Sequence, residues 1–141
     1  MTNKQLLKQL RKLEACAEAV EWVGKRDLAT AWAECERADW LLWLAGNMAG
    51  ELRWPSRKEV ILTAIECGRT SLRYAGKGRK QLEEVYEVAT CCVNDPSPEN
   101  RAAARTAAEA AWAAAEAAPE AAAQKQLCKI IRKRLLLERG N

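Results

Sequence analysis

The segment that most constrains the fold runs from Cys35 to Leu44, with the sequence CERADWLLWL. If the stretch Trp40–Ala45 is helical, it is apolar on every side, so it has no face that suits water. Such a helix has to be enclosed by other elements. We therefore expect it at the centre of the domain. Asp39 is its expected N-cap, because a short acidic side chain accepts hydrogen bonds from the free amides of a first turn.

Helical spacing of apolar residues extends over almost the whole chain. Region 3–23 has one apolar stripe, formed as one helix or two, and Gly24 is expected to end it. Region 101–123 contains 15 alanines, which strongly favours helix, with Trp112 as its one large side chain. The sequence Gly76-Lys77-Gly78 predicts a loop between two further helices.

Four positions carry start signals for other helices. Asp27 is a predicted N-cap, and SRKE at 56–59 fits a capping box, in which Ser and Glu satisfy two free amides reciprocally. Ser97 followed by Pro98 is a further predicted start, because proline suits the first helical position. Pro119 is expected to begin the last helix.

Length and composition fit one globular domain. The chain has 141 residues, of which 49% are hydrophobic, and a formal net charge of +4. We predict a single all-α domain over residues 1–141, a bundle of seven to eight helices, with solenoid-like stacking of helix pairs as the alternative. A polar start and the lack of a long apolar run predict a cytoplasmic protein that does not contact membranes.

The residues that usually carry catalysis are scarce. The chain has no histidine, which removes the usual general base and the commonest metal ligand. None of the six cysteines has CxxC spacing, and most lie beside apolar residues on helical faces, as small buried side chains do. Cys91 and Cys92 can form a reactive pair, but no base is evident nearby. We expect no enzymatic activity, no cofactor and no metal.

Five residues are the candidates for contact with a partner, because tryptophan and arginine dominate interface hot spots. They are Arg37, Asp39, Arg53, Trp54 and Arg57. For Trp40 and Trp43 we favour a place in the core, with Asp39 capping a helix and Arg37 pairing with a carboxylate. Trp54, in a loop between Arg53 and Pro55, is equally consistent with an interface and with local packing.

The last helix carries a basic cluster that is a candidate electrostatic patch for an acidic protein or for nucleic acid. Its members are Lys125, Lys129, Arg132 and Lys133. The alternative is a solvated face whose charge complements the helix dipole. The cluster contains no interleaved aromatic residue, which weakens the nucleic-acid interpretation.

Two segments, AWAECERADWLLWLA at 31–45 and IECGRTSLRY at 65–74, carry a resemblance to small all-helical immunity proteins of bacteria. The alanine-rich region and CKIIR at 128–132 are also similar. Where the family usually reads Arg-Gly-Asp-Trp, this chain has alanine at position 38, which argues against a required positive φ there. The roles of Arg37 and Asp39 stay open.

The resemblance implies a protein that binds and neutralises a cognate toxin. It also implies an alternative, a phage or mobile-element protein that blocks a host defence factor, for example an anti-CRISPR inhibitor. A third hypothesis is a nucleic-acid-binding protein that uses the basic last helix. The sequence leaves open the oligomeric state and whether the tryptophans enclose a small-molecule pocket.

Overall fold

The computed structural model describes residues 1–70, 72, 79–92, 97–99, 102, 106, 109 and 121–136, in part without their side chains. These residues form seven helices with defined ends and no strand, which confirms the predicted all-α bundle. The helices are α1 Asn3–Lys12, α2 Ala17–Val23, α3 Leu28–Glu34, α4 Ala38–Met48, α5 Arg57–Thr70, α6 Arg79–Cys92 and α7 Ala121–Arg134.

Region 3–23 forms two helices, α1 and α2, separated by a sharp turn at Glu14. The amide of Ala15 donates to the carbonyl of Leu10 at 2.9 Å, and the amide of Glu14 donates to that of Arg11 at 3.1 Å. This pair of bonds is a Schellman motif, which requires a left-handed residue after the helix. Glu14 takes that conformation, with φ of 58°. Gly24 ends α2 with φ of 51°, as expected.

The predicted helix starts at Asp27 and at 56–59 are confirmed. The Asp27 carboxylate accepts from the amide of Thr30 at 2.8 Å. The Glu59 side chain accepts from the Ser56 amide at 2.8 Å, and the Ser56 hydroxyl accepts from the Glu59 amide at 3.2 Å, which completes the capping box. At the next start Ser97 is not helical whereas Pro98 is, as the sequence predicts.

The bounds predicted for the central helix were wrong. Helix α4 begins at Ala38, so Asp39 lies inside its first turn and does not cap it, and it continues through Gly46 to Met48. The residue in the N-cap position, Arg37, makes no capping bond with its side chain. The free amide of Ala38 donates instead to the Gln124 side chain of α7 at 3.0 Å. A contact across 86 residues replaces the local cap.

Helix α4 is central, as predicted, because it joins two apolar clusters. The larger cluster unites buried residues of α4, α5 and α7 with Tyr86 of α6, and α4 supplies Leu41, Leu42 and Ala45. The smaller cluster lies between α1, α2 and α3, and Trp43 and Leu44 pack against it. Trp40 and Trp43 are only half-buried, so the expectation that they fill the core holds in part.

Some sequence predictions fall outside the described residues. These are Trp112, Gly76-Lys77-Gly78, the start at Pro119, the side chains of Cys91 and Cys92, and most of region 101–123. None of the helices in the described part of the chain combines the length and the apolarity that crossing a bilayer requires.

Candidate functional site

Arg37 and Asp39 form a close ion pair at the start of α4. The Arg37 Nε donates to one Asp39 carboxylate oxygen at 3.0 Å, and Nη2 donates to the other at 2.7 Å. Hydrogen bonding to Asp39 raises the pKa of the Arg37 guanidinium above its usual value. Asp39 is 4% exposed, so it is enclosed by the protein and positions Arg37 rather than reaching a partner itself. Such two-bond pairs fix the orientation of the guanidinium.

Arg37 also belongs to a stack of four side chains in which two tryptophans lie between two arginines. Its guanidinium lies 4.5 Å from the ring centroid of Trp40. Trp40 meets Trp22 edge to face, with ring centroids 6.1 Å apart. The guanidinium of Arg26 lies 4.4 Å from the Trp22 ring on α2. Cation–π attraction and aromatic packing therefore link α2 with the start of α4.

This stack borders a cavity of about 390 Å³, which we call the tryptophan cleft. Its walls are mainly apolar side chains of α1 to α4, and its mouth has the exposed residues Glu14, Cys16 and Glu18. Four of the six tryptophans of the chain line it: Trp22, Trp32, Trp40 and Trp43. The tryptophans therefore border a cavity, which is one of the possibilities that the sequence leaves open.

A second feature is the turn at residues 50–55, which we call the Leu52 turn. The amide of Trp54 donates to the Glu51 carbonyl and the amide of Gly50 donates to the Pro55 carbonyl, both at 2.9 Å. The side chain of Leu52 at its tip is 87% exposed. Arg53, beside it, has φ of 69°. Arg57, the first residue of α5, is exposed as well.

Trp54 holds the Leu52 turn against the body of the protein. Its ring meets Trp32 of α3 edge to face, with centroids 6.2 Å apart and an interplanar angle of 86°. The side chain is half-buried and packs on the larger apolar cluster. Local packing is therefore the main contact of Trp54, whereas Leu52, Arg53 and Arg57 are exposed.

The basic cluster of α7 is divided between internal and exposed positions. Arg132 is half-buried and donates from Nη1 to the carbonyls of Cys35 at 2.8 Å and Trp32 at 3.2 Å, so it holds the end of α3. Lys125 approaches Glu36 at 3.5 Å. Lys129 and Lys133 are exposed. The candidate patch therefore presents fewer free cations than its sequence indicates.

Three cysteines have environments unlike that of a nucleophile. Burial raises the pKa of the Cys35 thiol, and it raises the pKa of Cys67 and of Cys128 to about 12. A reactive cysteine needs a lowered pKa, because the thiolate is the nucleophile. These three thiols pack as small apolar groups, as predicted. The described residues also contain no cluster of three metal-ligating side chains.

The sequence pattern named Arg37 and Asp39 as candidates and paired Arg37 with an unspecified carboxylate, which the structure identifies as that of Asp39. The pattern did not single out Glu14, Glu18, Trp22 or Leu52. The mouth carboxylates belong to a helix face that looks merely solvated, and Leu52 stands between charged residues without a periodic pattern. The positions of Glu14 and Leu52 follow from the Schellman turn and the Glu51–Trp54 turn. Comparison with known protein families, with curated proteins and with solved structures finds no match to this chain.

Proposed function

We propose that the protein is a non-enzymatic inhibitor that binds another protein through the Leu52 turn. The observation that carries this proposal is the conformation of Arg53. A residue with a Cβ is disfavoured at positive φ, and glycine or asparagine usually takes that position in such a turn. Strained backbone of this kind concentrates at functional sites. Here the strain presents an arginine next to an exposed leucine.

The turn is also held in place before any partner binds. Its two backbone hydrogen bonds and the packing of Trp54 on Trp32 restrict its motion. A restricted binding loop loses less conformational entropy on association, so more of the contact energy contributes to affinity. A single exposed leucine is ordinary on a protein surface. The combination of Leu52 and Arg53 on a fixed turn with Arg57 at the start of α5 is what supports recognition.

The resemblance to immunity proteins supports a toxin as the partner class. A host defence factor is the alternative, since a phage or mobile-element inhibitor requires the same kind of surface. Direct nucleic-acid binding has less support, because Arg132 donates to backbone carbonyls of the protein and Lys125 approaches Glu36. Electrostatic binding to nucleic acid weakens steeply with salt, so a titration at two salt concentrations distinguishes it.

Capture from host lysate with a matched variant tests the proposal. The wild-type protein and a Leu52→Ser/Arg53→Gly variant are immobilised side by side, with Lys58→Ala as a control that changes an exposed neighbour on α5. We expect one protein to elute at stoichiometric level from wild type and control, and to be reduced at least tenfold for the double variant. Equal recovery from all three would refute the role of the turn.

A further inference from the structure

We propose that the tryptophan cleft is a second site, which binds a small organic cation with an apolar body. The residues at the mouth of the cleft are not part of the Leu52 turn. This second proposal therefore does not depend on the proposed function. Its volume of about 390 Å³ lies within the range of about 300–1,000 Å³ that is typical of small-molecule sites.

The walls fit an apolar or aromatic body. Trp22, Trp40 and Trp43 are half-buried, so part of each ring remains uncovered by protein. Leu6, Leu10 and Trp32 continue the apolar lining inward. An apolar group that enters this space leaves water and meets aromatic faces, which also attract cations.

The charged residues that line the cleft determine the sign of the charge that a ligand should carry. Three carboxylates and one guanidinium line it, namely Glu14, Glu18, Asp39 and Arg37, which leaves a net charge of −2. Arg37 gives two donors to Asp39, and Glu18 lies 3.8 Å from another of its nitrogens. The guanidinium is therefore committed to carboxylates of the protein, and an anionic ligand would meet a net negative mouth.

The placement of Glu14 brings one of these carboxylates to the mouth. It stands at the left-handed position of the Schellman turn, where glycine would be the favoured residue. Glu18, the second residue of α2, also lines the cleft. The two exposed carboxylates can then face the charged end of a ligand whose body lies against the tryptophans.

Three benzyl compounds that differ in charge test this inference. Benzyltrimethylammonium, benzyl alcohol and phenylacetate are titrated into the protein while tryptophan fluorescence is followed, since four of the six tryptophans line the cleft. We expect saturable binding in the order cation, neutral compound, anion. The double variant Glu14→Gln/Glu18→Gln should bind the cation about five-fold more weakly, as expected for the loss of two exposed charge pairs.

Glu21→Gln is the matched control. Glu21 is exposed on α2, the helix that carries Glu18, but it does not line the cleft. It should leave the affinity for benzyltrimethylammonium within two-fold of wild type. The proposal is overturned if the three compounds bind equally, if none saturates, or if the double variant and the control behave alike. Circular dichroism of the double variant confirms that its helices are retained.

Discussion

At the scale of single residues, two charged side chains occupy conformations that favour glycine. Among the described residues, Glu14 and Arg53 are the non-glycine positions with positive φ. One lies at the mouth of the tryptophan cleft and the other at the Leu52 turn. Proteins retain such locally unfavourable choices mainly where function requires the side chain. The coincidence of both residues with the two candidate sites supports both proposals.

Replacement of either residue by glycine should raise the stability of the protein and weaken binding. We expect Glu14→Gly and Arg53→Gly each to raise the free energy of unfolding by about 0.5–1 kcal/mol, because the strain of the left-handed conformation is relieved while some chain entropy is lost. Urea denaturation measures this change. Binding should weaken at the corresponding site. A loss of stability in both variants would contradict the assignment of strain.

Tyr86 is a third residue whose replacement is not expected to destabilise the protein. Its side chain is fully buried, and its hydroxyl makes no hydrogen bond to the described residues. A buried hydroxyl without a partner is unfavourable by about 1–3 kcal/mol. Tyr86→Phe should therefore leave the free energy of unfolding unchanged or raise it by up to about 1 kcal/mol. A decrease of more than about 1 kcal/mol in urea denaturation would show that the hydroxyl is bonded.

At the scale of elements, local signals predict helix starts well. The start of α4 was predicted wrongly because it depends on a long-range contact. Asp27 and the 56–59 capping box act within four residues of their own helices, so the sequence contains all of the information. The start of α4 depends on Gln124, which lies on α7. The Arg37–Asp39 pair is a different case, because these two side chains are only two residues apart and bond each other directly.

Arg132 should contribute more to stability than its basic neighbours on α7. It bonds two carbonyls at the end of α3, whereas Lys133 is exposed. Hydrogen bonds from charged groups contribute about 1.5–3 kcal/mol. We expect Arg132→Ala to lower the free energy of unfolding by about 2 kcal/mol and Lys133→Ala to change it by less than about 0.5 kcal/mol. Similar effects in both variants would argue against the capping role.

At the scale of the whole molecule, the buried thiols make stability dependent on alkaline pH. The pKa of Cys67 and of Cys128 is about 12 in the folded protein and is about 8.5 in an unfolded chain. Between these values the unfolded state has lost protons that the folded state keeps, so stability falls as pH rises. Each thiol contributes up to about 1.4 kcal/mol per pH unit in this window.

Urea denaturation under reducing conditions between pH 8 and pH 11 should show this decline. The double variant Cys67→Ala/Cys128→Ala is expected to be less stable at pH 8 and to lose less stability per pH unit above it. If the free energy of unfolding falls with pH equally steeply in the variant and in wild type, groups other than these two thiols cause the pH dependence.

The candidate sites were predictable only in part. Sequence reasoning identified Arg53 and Arg57 from residue type, and it placed Trp54 at equal odds between surface and packing. It left open a pocket among the tryptophans without locating it, because Trp22 and Trp43 reach the cleft from different helices and Glu14 reaches it through a turn. Sites that several elements build together require their spatial arrangement, which periodicity within one helix does not contain.

The most direct test of the central claim is hydrogen exchange of the protein with and without its captured partner. Binding of the partner should slow exchange of the backbone amides at residues 50–57. Exchange on the exposed face of α7, around Lys129 and Lys133, should remain unchanged. Protection confined to α7, with the Leu52 turn exchanging as in the free protein, would contradict the account.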